Sequence, residues 1–324
     1  VDAGQDPEPT GQQRAARLDR AAFDALHRRI SAAAPAAAPA GEHPRGALET
    51  ITPARVLAAA GEVRTGRHVS LAAPVGTRAR PDNPEPAHHP MTGAVAGRLR
   101  GEGLEFARDR IEMNVHGDAD SHLDALCHVV YDGTLYGGVP ATTLTATGAG
   151  ALTVGLAEAG IVGRGVLLDI PGLRGVPWLE PGEYVTAEDL QAAEEAQGVR
   201  FGEGDLLFVR VGHRRRRREM GAWDAAAARA GLHPAAVELL AERRIAVLGS
   251  DSNNDCAPSP VDGVGFPVHV LAVHALGIHL LDYLQFEELL PVCTEEGRWS
   301  FLCMVAPLRL AGGTGSPVNP IAVL

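Results

Sequence analysis

HGDADSHLDALCH, residues 116–128, gathers three of the chain's thirteen histidines and sets three aspartates among them. The polar members, His116, Asp118, Asp120, His122, Asp124 and His128, all occupy even positions, while Gly117, Ala119, Ser121, Leu123, Ala125 and Cys127 fill the odd ones. Alternation of this kind projects imidazoles and carboxylates from one face of an extended segment. His122 and Asp124 would lie roughly 7 Å apart along a strand, within reach of one ion. Asp118 and His128 would be on the order of 30 Å apart if the run stayed straight, so it must bend to build a single site. As a helix the segment pairs Asp118 with His122 and Asp124 with His128, but the two pairs point in nearly opposite directions. The reading that fits is a strand that curls into a turn or helix near Leu126. Neutral imidazole and carboxylate are ligands that suit zinc or manganese, and a hydrolytic site needs about three of them plus a position for water.

The rest of the composition narrows the function. A chain of 324 residues, 45% hydrophobic, can bury a large core. A formal charge of −11 excludes nucleic acid as a general partner, because a phosphate backbone demands a basic surface. The contrary sign is local: Arg214 to Arg218 is an unbroken arginine run, read as a solvated loop, with an anion contact or a subunit interface as the alternative. Cys127, Cys256, Cys293 and Cys303 are widely spaced and form no CxxC pair, so neither a disulfide framework nor a zinc ribbon is expected. The odd position of Cys127 makes it small buried packing. No apolar stretch approaches the length of a membrane span, and the start VDAGQDPEPT lacks a signal-peptide pattern, so a cytoplasmic protein without membrane contact is expected.

Outward from the histidine run, the chain alternates helical and strand patterns. Thr10 opens a capping-box pattern, and Leu18, Ala22, Leu26 and Ile30 recur every four residues, so 11–30 reads as an amphipathic helix. SAAAPAAAPAG, 31–41, is a low-complexity connector broken by Pro35 and Pro39, or a lid or arm that packs on another subunit. Thr52, Pro53 and Gly61 punctuate a second helix. Residues 76–92 form a long loop, and from about residue 98 the chain reads as compact. VLLDI (166–170), LLFVRV (206–211) and IAVLGS (245–250) read as buried strands. Helical patterns from Thr186 to Gln197 and from Pro234 to Arg244 lie between them. The alternation predicts an α/β fold, with an N-terminal helix and connector (1–45) ahead of one catalytic domain (46–324).

A second histidine cluster, PVHVLAVHALGIHLLDYL (267–284), offers the missing half of a site. His269 follows Pro267 at the start of an apolar pattern that stops at Gly277, as expected for the first turn of a helix. His274 reads as satisfied packing. Asp282 closes a short strand pattern and can point into a pocket.

SHLDALCH (121–128) resembles the HxGTHxDxPxH signature of the cyclase family of metal-dependent hydrolases, which includes bacterial kynurenine formamidases and isatin hydrolases. Further blocks resemble that family in order, over about residues 46–324: GRGVLLDI, EGDLLFVRVG, IAVLGSDS, the 267–284 segment and GGTGSPVNPIAVL. The resemblance implies a cyclase-like swivelling β/β/α domain with a mixed sheet and flanking helices. It implies metal ligation by His122, Asp124 and His269, with Asp282 at a glutamate position and Asp118 at the place of the first signature histidine. His128 matches the last signature histidine, a proton donor and acceptor. Asp118, Asp282 and Leu126 depart from the pattern, and the first two make the ligand set richer in oxygen, toward manganese or magnesium. The Ala/Pro stretch stands where relatives carry a Trp- and Gly-rich segment, so a usual aromatic contact to substrate is not expected.

The expected chemistry is hydrolysis of an amide, formamide or cyclic amide by metal-activated water, with His128 moving the proton. His116 is either an orienting partner of a ligand or a surface residue. The expected cofactor is a divalent metal, zinc or manganese, the partners a small-molecule substrate and further copies of the chain in a homo-oligomer such as a homodimer. The alternatives are a cyclase or lyase acting on a biosynthetic intermediate, and a catalytically silent binding protein with the same fold. A serine hydrolase is not expected, because GxSxG is absent and Gly249-Ser250-Asp251 reads as a strand end and turn.

Overall fold

The computed structural model describes residues 17–33 and 45–324, so the Thr10 capping pattern and the connector from residue 34 onward lie outside the described residues. Among the described residues one mixed sheet organises the molecule. Its nine strands are β1 (His68–Ser70), β2 (His122–Asp124), β3 (Ile161–Asp169), β4 (Leu206–Arg210), β5 (Val247–Ser250), β6 (His279–Asp282), β7 (Ser300–Val305), β8 (Gly315–Pro317) and β9 (Ile321–Val323). Their spatial order is β1-β9-β7-β3-β4-β5-β6-β2-β8. The central four, β3 to β6, run parallel. The flanking strands pair antiparallel.

Parallel strands are covered on both faces, which is why their sequences are continuous apolar runs rather than alternations. Val166, Leu168, Leu207, Val209, Leu248 and Leu280 enter one core. Their neighbours Leu167, Leu206, Phe208, Val247 and Leu281 enter the other. Helices α1 (Arg20–Ala33), α2 (Pro53–Ala60), α3 (Ala187–Gln197), α4 (His213–Met220) and α5 (Val237–Arg243) flank the sheet. The α/β fold with a mixed sheet and flanking helices is thus present, and its local punctuation is physical. Thr52 accepts from Arg55 N, with Pro53 in the first turn of α2 and Gly61 at its end. Thr186 and Asp189 exchange side-chain and backbone bonds in a capping box that starts α3.

Three expectations are corrected. Helix α1 begins at Arg20, capped by the Asp19 carboxylate accepting from Ala22 N at 2.7 Å, and it buries Phe23, Leu26 and Ile30 while Ala22 is exposed. The larger Phe23, one position on, removes far more apolar area from water. Arg214–Arg218 is not a loop but most of helix α4, and Arg214 is only 8% exposed. Residues 88–112 are not compact: they fold back on themselves through the bridges His88↔Glu112 and Met91↔Asp109, leaving Leu99, Leu104, Phe106 and Ile111 exposed. No helix among the described residues is long and apolar enough to cross a membrane.

Candidate metal centre

Register assembles half of the site before any side chain is considered. Strand β2 pairs with β6 so that His122 faces Asp282 and Asp124 faces Leu280. Leu123 and Leu281, the residues between, enter one core, so His122, Asp124 and Asp282 project from the opposite face. Asp282 lies at the carboxyl end of the parallel strands, the edge where open α/β sheets collect ligands. After β2 the chain turns at Leu126–Cys127, and His128 N bonds back to Ala125 O at 2.9 Å. The turn returns His128 to its own strand, where its nitrogen groups with those of His116 and the Asp124 carboxylate within 4.8 Å.

His269 arrives from a short helical turn, Pro267–His269, that continues as a π-helix over Val270–Ala275 and stops at Gly277, whose φ of 68° redirects the chain into β6. π-Helical turns are rare, and frequent at functional sites. The Asp255 carboxylate accepts from Val268 N (2.7 Å) and His269 N (3.0 Å), and it holds His269 Nδ1 at 2.6 Å. His269 Nε2 is thereby aimed at Asp124 Oδ2, 3.4 Å away, and Asp282 Oδ2, 3.5 Å away. His122 is fixed the same way: Nδ1 donates to Asp120 O at 2.8 Å, which leaves Nε2 as the lone-pair nitrogen, 3.6 Å from Asp124 Oδ1. Imidazoles whose far nitrogen is committed to a carbonyl or carboxylate are prepared as metal ligands. Asp282 is also pinned, by Asn254 Nδ2 on Oδ1 (2.5 Å) and Asn253 Nδ2 on Oδ2 (2.6 Å).

Asp124 is the hub. Its Oδ1 accepts from His116 Nδ1 at 2.8 Å, whereas the buried Oδ2 has no hydrogen-bond partner among the described residues. A buried oxygen left without a donor is costly, and a cation is the partner that relieves it. Burial opposes ionisation of this carboxyl, but the His128 imidazole, the hydrogen bond from His116 and the nearby His269 outweigh it and hold the group well below the usual range. Burial likewise opposes charge on His269, yet Asp124, Asp255 and Asp282 hold it well above its ordinary value. The pocket therefore draws positive charge. His122, Asp124 and Asp282 bring ligand atoms within 4.8 Å of one another, with His269 Nε2 between the two carboxylates. Two imidazole nitrogens and two carboxylates fit a divalent cation.

Asp118 stands apart. Its carboxylate accepts from the Tyr283 phenol at 2.8 Å and is in neither cluster of potential ligands. His116, by contrast, touches the hub, is fixed by Thr314 Oγ1 at 3.0 Å, and stacks on His128 with centroids 3.7 Å apart and planes 6° apart. Burial pushes the His128 imidazole down to about 4, against the pull of Asp124. Cys127 is buried on the far side of the turn, its thiol pushed up to about 11 by burial. Asp255, Asn253, Asn254 and Tyr283 are the residues that sequence reasoning missed. The polar run DSNND directly after strand β5 was the available signal.

The "Putative cyclase" family model matches residues 69–254. Among solved structures, a novel cyclase is similar over 87% of this chain and 95% of its own, with 30% identity and a TM-score of 0.77. An isatin hydrolase bound to the product analogue thioisatinate is similar at 19% identity and TM-score 0.53, over 84% of this chain and 95% of its own. Isatin hydrolase A from Labrenzia aggregata, bound to benzyl benzoate, has 23% identity and TM-score 0.53, over 82% and 94%. No curated protein matches the chain.

Proposed function

Because the chain belongs to the cyclase family, we propose that it is a metal-dependent hydrolase that opens the C–N bond of a small amide, formamide or cyclic amide. His122, Asp124, His269 and Asp282 would hold the cation, zinc or manganese by donor type. When bound, such a cation lowers the pKa of a water toward neutrality and draws charge from the substrate carbonyl. The observation that carries this reading is the pair of imidazoles whose Nδ1 atoms are committed, to Asp120 O and to Asp255, so that both Nε2 atoms converge on the Asp124 carboxylate.

The chain's own residues supply the rest. Burial keeps His128 neutral near pH 7, able to take a proton from the attacking water and return it to the departing nitrogen. His116 lies flat against it and holds the plane of its ring. Asp118, bonded to Tyr283, braces the chain ahead of β2 instead of ligating. Phe266 is 49% exposed with its ring 5.6 Å from that of His269, and it offers an aromatic substrate the apolar face that a Trp- and Gly-rich segment would otherwise supply. Two of the similar structures are named isatin hydrolases, and isatin is a cyclic amide, a member of this class of substrate.

The test is metal content by mass spectrometry together with a panel of N-formyl arylamines and lactams, isatin included. About one equivalent of divalent metal per chain and turnover that chelation abolishes are expected. Protein that takes up neither zinc nor manganese, or that binds metal and turns over none of the panel, overturns the proposal.

A further inference from the structure

Near the metal centre lies a second concavity, of about 420 Å³, and none of the four proposed ligands lines it. Its wall carries five arginines, Arg78, Arg80, Arg214, Arg217 and Arg218, against two carboxylates, Asp120 and Glu287. Such a concentration runs against the net charge of −11 of the whole chain. The two carboxylates are already engaged. Glu287 Oε1 accepts from Arg210 Nε at 3.0 Å and lies 2.9 Å from its Nη2 as an ion pair, and Asp120 Oδ1 accepts from Gly76 N at 2.8 Å.

The arginines divide into fixed and uncommitted. Arg217 is paired with the buried Asp82. Arg214, more than nine-tenths buried, donates Nε to Leu284 O (3.0 Å) and Nη2 to Ala119 O (2.8 Å) and Tyr283 O, while its Nη1 has no hydrogen-bond partner among the described residues. Arg78 and Arg80 are exposed and their guanidinium groups bond to nothing among the described residues. Arg218 comes no closer than 3.8 Å to Glu219 and 4.0 Å to Glu287. Several guanidinium groups thus face one concavity with donors to spare. Five guanidinium groups against two carboxylates in one wall leave an excess of like charge, which an anion between them relieves.

We propose that this concavity is a binding site for a small oxyanion carrying two or more negative charges, a phosphate or a polycarboxylate. Planar guanidinium donors pair bidentately with either group, and the volume exceeds what a monatomic ion needs. The site has a structural consequence. The backbone oxygens that Arg214 grips belong to Ala119, three residues before His122, and to Tyr283 and Leu284, directly after Asp282. An anion there neutralises the repulsion between Arg214 and its arginine neighbours and tightens the clamp on both ligand-bearing strands. The inference stands whether or not the hydrolytic reading does.

Titration calorimetry and thermal melting of the full chain test it, using inorganic phosphate and citrate in separate arms at constant ionic strength, with sodium chloride as reference. Saturable binding and a raised melting temperature are expected with at least one anion, and which arm binds more tightly separates phosphate from polycarboxylate. Arg78→Ala/Arg80→Ala, which removes two exposed side chains that make no hydrogen bond within the described residues, should weaken binding by at least about tenfold. No shift beyond sodium chloride in either arm overturns the proposal. Unchanged affinity in the double variant also overturns it, because the anion would then be bound elsewhere, the metal centre included.

Discussion

The His116–His128 segment and the Arg214–Arg218 segment are two dense concentrations of polar chemistry, and the fold orients them by different rules. In the first, β2 presents His122 and Asp124 to one face and Leu123 to the core on the other, so the pleat alone sorts candidate ligand from packing. In the second, five identical side chains wind around α4. Arg214 and Arg217 turn inward to backbone carbonyls and Asp82. Arg215 pairs with Glu219 on its own helix, and Arg216 lies 4.5 Å over the Trp223 ring. Contrast between neighbouring residues encodes orientation in the strand. In the arginine helix there is no contrast, and orientation is set by the partners that surround it.

The comparison breaks most sharply at the hub. Asp124→Ala removes the carboxylate that His116, His122 and His269 all approach. The expected outcome is loss of bound metal and a fall in kcat/KM of on the order of 10³-fold or more. His128→Ala should leave metal stoichiometry at the wild-type value while depressing kcat by about 10²- to 10⁴-fold. Metal analysis and steady-state kinetics on both variants separate holding the ion from moving the proton. Full metal in the first variant, or a near-normal rate in the second, breaks the division of labour.

How much of this was legible in the sequence follows the same contrast. Leu167 and Leu168, or Leu206 and Leu207, sit on opposite faces of a sheet covered on both sides, so a continuous apolar run signals a buried parallel strand without specifying which face is which. Thr52, Pro53 and Gly61, and Thr186 with Asp189, are local devices that need no tertiary context, and the helices form where they stand. His269 and Asp282 can be named as candidates from the sequence because Pro267 and a short apolar run place them at element ends. The parts that were not legible depend on distant partners. Asp255 caps the His269 turn from fourteen positions away, and Asn253 and Asn254 pin Asp282, yet DSNND has the composition of an ordinary turn. The π-helix at Val270–Ala275 has no periodic mark distinct from an α-helix over six residues. Asp118 shares the parity of the candidate ligands, but the strand begins only at His122, so parity ahead of that residue carries no direction.

A stability measurement sharpens the other side of the comparison. Arg214→Ala should lower unfolding free energy by about 2–4 kcal/mol, because the buried backbone oxygens of Ala119 and Leu284 lose the Arg214 donor and that of Tyr283 keeps only Ser121 Oγ. Arg215→Ala, one residue on, should change it by no more than about 0.5 kcal/mol, since its pair with Glu219 is 39% and 41% exposed. Urea unfolding of the two variants reads the difference directly. Equal effects would mean that α4 is anchored as a unit and not through Arg214.

The smallest effect tests whether the residue invisible to sequence matters as much as the geometry says. Asp255→Asn keeps the size of the side chain and one oxygen to accept from Val268 N or His269 N, so the helical turn should persist. It removes the negative charge that holds His269 Nδ1 and fixes Nε2 toward Asp124. A ligating imidazole that loses its orienting carboxylate typically weakens metal affinity by about 10- to 100-fold, without changing the ligand count. Competition with a chelator of known affinity should therefore show a weaker site that still fills at high metal, with kcat at saturation lowered less than kcat/KM at limiting metal. Wild-type affinity in this variant would mean that His269 is oriented by the π-helix alone, and that the carboxylate behind it serves only to cap the turn.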